Sequence, residues 1–183
     1  MSKLKAVLDR IMSCLERNNS PVAILLRDGL DDEQIDSIDG TSLPYQLPNE
    51  IRDFFRWRNG IDEKHPDFSL ENQKFLNDWV PLSLEDAAAY IGHESEDYFS
   101  DNNVQDSWFI DSRNMLPIFT DFFGEVYLCI KIEGDQLGPI FRIQNDESGE
   151  FELAYPDVYT MLLLESVKAN MIIFDDSGIP TWT

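Results

Sequence analysis

The stretch LPNEIRDFFRWRNG, residues 47–60, carries the pattern that decides the fold of this chain. Pro48 suits the first position of a helix, where its missing N–H would have no partner in any case. Ile51, Phe54 and Phe55 follow at spacings that place them on one face of that helix. The stretch therefore predicts a short helix that buries both phenylalanines in the core.

The polar residues of the same stretch have local explanations. Arg52 and Arg56 are expected on the outer side of the helix. Arg56 and Arg58 lie near its C-terminal end, where a cation offsets the negative end of the helix dipole. Asn59 followed by Gly60 predicts a left-handed residue that ends the helix. The three arginines therefore need neither a catalytic role nor a nucleic-acid partner to account for them.

Helical signals recur on both sides of this stretch. The N-terminal segment has apolar residues at spacings of three and four, namely Leu4, Leu8, Ile11 and Leu15. Asp31, with Gln34 three residues later, predicts a capped short helix, and Ser83 with Asp86 predicts another. Asp157 is the expected cap of a final helix.

The second half of the chain changes to a period of two, which predicts strands. The candidate strands are MLPIFTD, EVYLCIKI, PIFRIQN and EFELAYP. In the last of them Phe151, Leu153 and Tyr155 alternate with Glu152, so we expect one apolar face. Turn-rich segments separate the strands, and Gly124 marks the first turn, so an antiparallel meander is predicted.

The order of elements is helices, then a meander, then a helix. This order predicts an α+β fold in which helices pack on one face of a mostly antiparallel sheet. We expect a single domain over residues 1–183, with residues 1–28 as an N-terminal helical extension and 168–183 as a C-terminal tail.

Composition limits the function. Fourteen basic and 35 acidic side chains give a net charge of −21, and such a chain repels phosphate backbones at long range. We therefore expect no nucleic-acid ligand. A basic protein partner is one explanation of the charge, and acidic solubility alone is the other.

Cysteine usage and hydropathy indicate the compartment. Cys14 and Cys129 both lie in segments predicted to be buried, so free thiols in a reducing compartment are expected. The N-terminus lacks the apolar segment of a signal peptide, and the apolar runs are too short to span a bilayer. The prediction is a cytoplasmic protein without membrane contact.

Catalytic and metal-binding motifs are weak. His93-Glu94 begins like a zinc-protease motif, but Asp97 stands where the second histidine belongs. There is no Cys-x-x-Cys and no glycine-rich phosphate loop. We therefore predict no catalytic residue, no metal and no cofactor, although a hydrolase that uses a pair of carboxylates stays open as an alternative.

One acidic segment is the strongest candidate for a partner-binding surface. Between Lys74 and Arg113 the chain has nine acidic residues and no basic one, with aromatic residues among them. Acidic and aromatic residues together suit a protein interface. The predicted partner-binding residues are Glu94, Glu96, Asp97, Asp101, Asp106 and Trp108.

The stretch GLDDEQIDSIDGTSLPYQLPNEIRDFFRWRNG, which begins at Gly29, resembles the N-terminal motif of the SUKH superfamily. That group includes fungal Smi/Knr cell-wall-synthesis regulators and many bacterial immunity proteins. The matching residues are Leu47, Pro48, Phe54, Phe55, Asn59 and Gly60. WVPLSLEDA, LPIFTDFFGEVYLCI with its turn at Gly124, and YPDVYTMLLLESV resemble later segments of the family. Phe122-Phe123 departs from the smaller or more polar residues usual in that turn.

This resemblance implies an α+β domain without enzymatic activity. It also implies that a bacterial member binds and neutralises a cognate toxin, often a nuclease or deaminase, which tends to be basic. An alternative is a regulatory scaffold of the fungal kind. The resemblance identifies no particular toxin and leaves the oligomeric state open.

Overall fold

The computed structural model describes residues 3–97, 114–144, 151–174 and 180–183, which form an α+β domain. Its helices are α1 (Lys3–Arg17), α2 (Val22–Leu25), α3 (Asp32–Ser42), α4 (Asn49–Trp57), α5 (Leu84–Asp97) and α6 (Val158–Lys168), with a 3-10 turn at Leu70–Gln73. Its strands are β1 (Leu26–Asp28), β2 (Arg58–Ile61), β3 (Val80–Pro81), β4 (Met115–Thr120), β5 (Val126–Glu133), β6 (Gln136–Gln144), β7 (Phe151–Tyr155), β8 (Ile172–Phe174) and β9 (Pro180–Trp182).

The predicted meander is the central sheet. β3, β4, β5, β6 and β7 lie side by side in chain order, and every neighbouring pair is antiparallel. Gly134 has φ +66° in the tight turn between β5 and β6, a conformation that favours glycine. β1 pairs with β2 and β8 with β9, in two small separate sheets. The sequence period thus predicted the connectivity of the main sheet.

The sheet buries residues on both faces. Leu128, Ile130 and Ile132 of β5 lie in the main core. Cys129, on the opposite face, joins a smaller buried cluster with Ile143. Burial raises the pKa of the Cys129 thiol, so the group is neutral. Both cysteines are buried and unpaired, as the sequence predicted.

Helix α1 forms part of this core. Its apolar stripe, predicted from spacings of three and four, is buried, and the helix packs on α4 and α6. Leu8 and Ile11 are completely inaccessible. Helix α1 is therefore part of the same core as the sheet.

The apolar face expected for β7 is largely exposed. Leu153 is 63% exposed and Phe151 is 44% exposed. β7 is the last strand of the sheet, so it lies at the sheet edge. Alternation shows that a strand has two different faces but does not show that the apolar one is covered.

Helix α4 buries its two phenylalanines as expected. Phe54 packs edge-to-face on Phe55, with ring centroids 5.2 Å apart, and on Phe119 at 5.8 Å. The helix begins at Asn49, so Pro48 is the residue before the first turn and not its first member. Its φ of −57° still suits the entry to a helix.

The prediction that Arg52 lies outside is wrong. Its side chain is only 13% exposed, because three carboxylates of α3 surround the guanidinium. It bonds to Asp36, lies 3.0 Å from Asp39 and 3.8 Å from Asp32. Arg56 is at the surface as expected, bonded to Asp32 and to Asp53. The ion pairs that these two arginines form with Asp32, Asp36 and Asp39 hold α3 against α4.

The expected helix stop at Asn59-Gly60 is also wrong. Helix α4 already ends at Trp57, and Arg58 is extended with φ −154°. Asn59 and Gly60 belong to β2, whose pairing with β1 requires an extended backbone. Gly60 does have φ +74°, but its backbone also lies so close to Ser83 that an added Cβ would meet the Ser83 nitrogen at 2.6 Å. Glycine is needed there for close approach between two segments.

Candidate partner-binding surface

The predicted partner-binding residues fall at the end of α5 and beyond it. Glu94, Glu96 and Asp97 occupy the last turn of this helix. Asp101, Asp106 and Trp108 lie outside the residues that the structure describes. Helix α5 is therefore the described element that positions the acidic segment.

The N-terminus of α5 is attached to β2 by a buried amide. Asn59 Oδ1 accepts a hydrogen bond from the Leu84 N–H at 2.8 Å, and Asn59 Nδ2 donates to Glu85 Oε2 at 2.8 Å. Ser83 Oγ accepts from the Asp86 N–H at 3.1 Å, which is the predicted cap. Together these bonds satisfy two of the free N–H groups of the first turn.

The carboxylate of Glu85 is stabilised in its charged form. Partial burial acts to raise its pKa, but the hydrogen bonds from Asn59 and from its own backbone N–H outweigh that effect. Arg27, whose Nη2 lies 3.5 Å from Glu85 Oε1, acts in the same direction. The pKa of Glu85 is therefore below its ordinary value, and the first turn of α5 remains anionic at neutral pH.

The two ends of α5 differ in how their charges meet the helix dipole. Glu85 and Asp86 lie in the first turn, where carboxylates are favourable. The last turn has three acidic residues and no basic one. Carboxylates at that end oppose the partial negative charge of the helix terminus. The charge pattern of α5 is thus not explained by the stability of the helix.

The structure also has a concave surface that was not predicted from the sequence. A groove of about 620 Å³ lies between the β4–β5 turn, residues 76–79 and α6. Phe123, in the turn that precedes Gly124, is 74% exposed at this groove. Lys74 Nζ lies 4.9 Å from the centre of the Phe122 ring. The unusual Phe122-Phe123 pair therefore lies at the surface.

The floor of this groove is the buried carboxylate of Glu165. It accepts hydrogen bonds from Asn77 Nδ2 at 2.6 Å, Tyr155 Oη at 2.5 Å and Lys168 Nζ at 2.5 Å. Burial acts to raise the pKa of Glu165, but these three bonds lower it below its ordinary value. Because Asn77 is 88 residues away along the chain, no local pattern could have identified the cluster.

In residues 3–97, 114–144, 151–174 and 180–183, no group of three or more His, Cys, Asp or Glu side chains could hold a metal ion. No helix within these ranges combines the length and the apolar character required to cross a membrane.

Most of the chain matches a known protein family. Residues 29–163, which are 135 of the 183 residues, match the model of the SMI1 / KNR4 family (SUKH-1). No curated protein matches the chain. The matched range includes α4, the Asn59-Gly60 strand and the meander, whereas α1 lies outside it.

Proposed function

The chain belongs to the SMI1 / KNR4 family (SUKH-1), and from this premise we propose that it is an immunity protein. In this function it is a non-enzymatic cytoplasmic protein that binds and neutralises a toxin protein. The toxin is basic, as a nuclease or deaminase that engages phosphate tends to be. The observation that carries the proposal is the acidic last turn of α5 in a chain of net charge −21.

The acidic helix end supports binding because it is unfavourable for folding. Glu94, Glu96 and Asp97 belong to the last turn of α5, where negative charge repels the partial charge of a helix terminus. A basic surface placed against this helix end would attract the carboxylates and offset their repulsion. Attraction of this kind also raises association rates by about 10- to 1,000-fold at low salt. The proposed partner-binding residues are Glu94, Glu96, Asp97, Asp101, Asp106 and Trp108.

The function is tested by co-expression. The chain is produced in cells together with the toxin-like protein that the adjacent gene encodes, and growth is compared with cells that make the toxin alone. We expect the chain to restore growth and to co-purify with the toxin. Toxicity that persists at full expression of a folded chain would refute the immunity function for that pair.

The binding surface is tested by charge reversal. We predict that Glu94→Lys, Glu96→Lys and Asp97→Lys together slow association and weaken its dependence on salt, because charges at an interface rim act on encounter. The same change should raise the free energy of unfolding by a few tenths to about 1 kcal/mol, because lysines complement the helix dipole. Surface plasmon resonance at two salt concentrations and urea unfolding measure the two effects.

A matched control separates position from net charge. Glu63, Glu125 and Asp135 are exposed acidic residues in loops that are not part of α5. Reversing all three to Lys alters the net charge by the same amount as the α5 reversal. We expect association to keep most of its rate in this control. An equal loss of rate in both variants would mean that overall charge governs capture and that α5 is not the binding surface.

A further inference from the structure

A pocket of about 460 Å³ lies between α1 and the C-terminal end of α4. Two ion pairs line it: Lys5 with Asp9, 2.8 Å apart, and Arg56 with Asp53, 2.9 Å apart. Arg58 lines it too and forms no ion pair within the described residues. Within the described residues the charges of Lys5 and Arg56 are thus matched by carboxylates, Asp32 among them, whereas the charge of Arg58 is not.

The guanidinium of Arg58 has donors to spare. An arginine side chain has five N–H donors. One of them, on Nη1, donates to the Trp57 carbonyl at 2.9 Å. The Nε atom is buried and has no hydrogen-bond partner, and among the described residues no other buried side-chain nitrogen or oxygen is in that state. Native proteins rarely leave such a donor unpaired, because burial removes its hydrogen bonds to water and no bond within the protein replaces them.

A role at the end of α4 accounts for only part of this arrangement. The Trp57 carbonyl is one of the free acceptors at the helix terminus, and Arg58 satisfies it. That bond uses one donor of five and does not require a concave surface. The remaining donors, the pocket and the unmatched charge of Arg58 need a separate explanation.

Apolar groups line the same pocket. The guanidinium carbon of Arg58 lies 5.8 Å from the centre of the Trp57 ring, so the cation is held over an aromatic face. Met12 of α1 supplies a second apolar side chain. A ligand that fits this lining has an anionic end for Arg58 and an apolar body for Trp57 and Met12.

We propose that this pocket binds a carboxylate that carries an apolar group, with Arg58 as the residue that pairs with the carboxylate. A guanidinium matches the planar carboxylate better than an ammonium does, because two parallel N–H donors face its two oxygens. One carboxylate would match the charge of Arg58. The carboxylate belongs either to a small free acid or to the C-terminus of a polypeptide.

The test uses the complete chain and two probes, phenylacetate for a free acid and N-acetylphenylalanine for a chain terminus. Phenylacetamide is the neutral control. Calorimetry should show binding of at least one acid, with the amide bound at least about tenfold more weakly, as expected when one charge-assisted hydrogen bond is lost. The tighter acid identifies the source of the carboxylate. The Arg58 Nε–H resonance should shift on titration.

Variants at Arg58 and Arg10 decide the assignment. Arg58→Met keeps the stem that covers Trp57 and should weaken acid binding at least about tenfold. Arg10→Met, on an exposed arginine of α1, should leave affinity within about twofold. Both variants are checked for a native unfolding transition. Equal binding of the acid and the amide, equal affinity of the two variants, or absence of binding at about 50 mM acid would overturn the proposal.

Discussion

Asn59→Ala is predicted to be among the most damaging single changes to a polar residue in this protein. Asn59 is completely buried, and its amide joins β2 to the first turn of α5. Removing the amide takes away the acceptor for the Leu84 N–H, and loss of such a cap costs about 0.5–2 kcal/mol. The stranded N–H is buried, which adds about 1–3 kcal/mol. The expected loss is therefore about 1.5–5 kcal/mol.

The assay is urea unfolding followed by circular dichroism, with a thermal melt beside it. For a domain of this size each kcal/mol lowers Tm by roughly 2–4 °C, so a decrease of roughly 3–20 °C is expected. Asn72→Ala is the matched control, because the Asn72 amide donates to the Asp67 carbonyl in an exposed turn. Its effect should stay within about 0.5 kcal/mol.

Asn59→Asp separates the two halves of the contact. The aspartate keeps an acceptor for the Leu84 N–H. It removes the amide donor, which lies 2.8 Å from Glu85 Oε2 in the wild-type protein, and places a second carboxylate there. We expect Asn59→Asp to be destabilised at neutral pH and largely rescued by Glu85→Gln, which restores a donor. A loss below about 0.5 kcal/mol for Asn59→Ala, or no rescue in the double variant, would refute the reasoning.

Three further outcomes test the core, the glycine contact and the buried carboxylate. Phe54→Ala should cost about 3–5 kcal/mol in urea unfolding, and a loss under about 1 kcal/mol would contradict the core position. Gly60→Ala should cost at least about 1–3 kcal/mol, because φ is positive and the new Cβ would meet Ser83; a neutral effect would remove the close-approach argument. The lowered pKa of Glu165 means that its stabilising effect is complete above the unfolded value of about 4.3 and is lost as pH falls through the folded value. The stability difference between wild type and Glu165→Gln should therefore shrink between about pH 5 and pH 3, and a constant difference would rule out this linkage.

Local patterns predicted the elements of the fold well, because their causes are local. The Asp31–Gln34 capping box forms with both of its hydrogen bonds. Asp157 accepts from the Thr160 N–H at 2.7 Å and begins α6. The alternating strands form the meander in the expected order. Caps and periodicity act over three or four residues, so the sequence alone contains the information.

The contacts that were missed or misread depend on residues far apart in the chain. The Asn59 side chain bonds to residues 25 and 26 positions later, so its dipeptide resembled a helix stop when viewed locally. Arg52 is enclosed by carboxylates of α3 that precede it by at least 13 positions. Burial of a strand face depends in the same way on what covers it, and nothing described covers Leu153 well. These features required the tertiary structure.

The residues that identify the family and the residues that would recognise a partner are different sets. Phe54, Phe55 and Asn59 are almost inaccessible to solvent and bind other parts of the same chain. They can specify the fold but cannot contact a toxin. Membership of the family therefore establishes the scaffold, and the partner must be recognised by exposed groups that the scaffold carries. We propose that acidic residues in the last turn of α5 take this role, because folding alone would select against negative charge at that end of a helix.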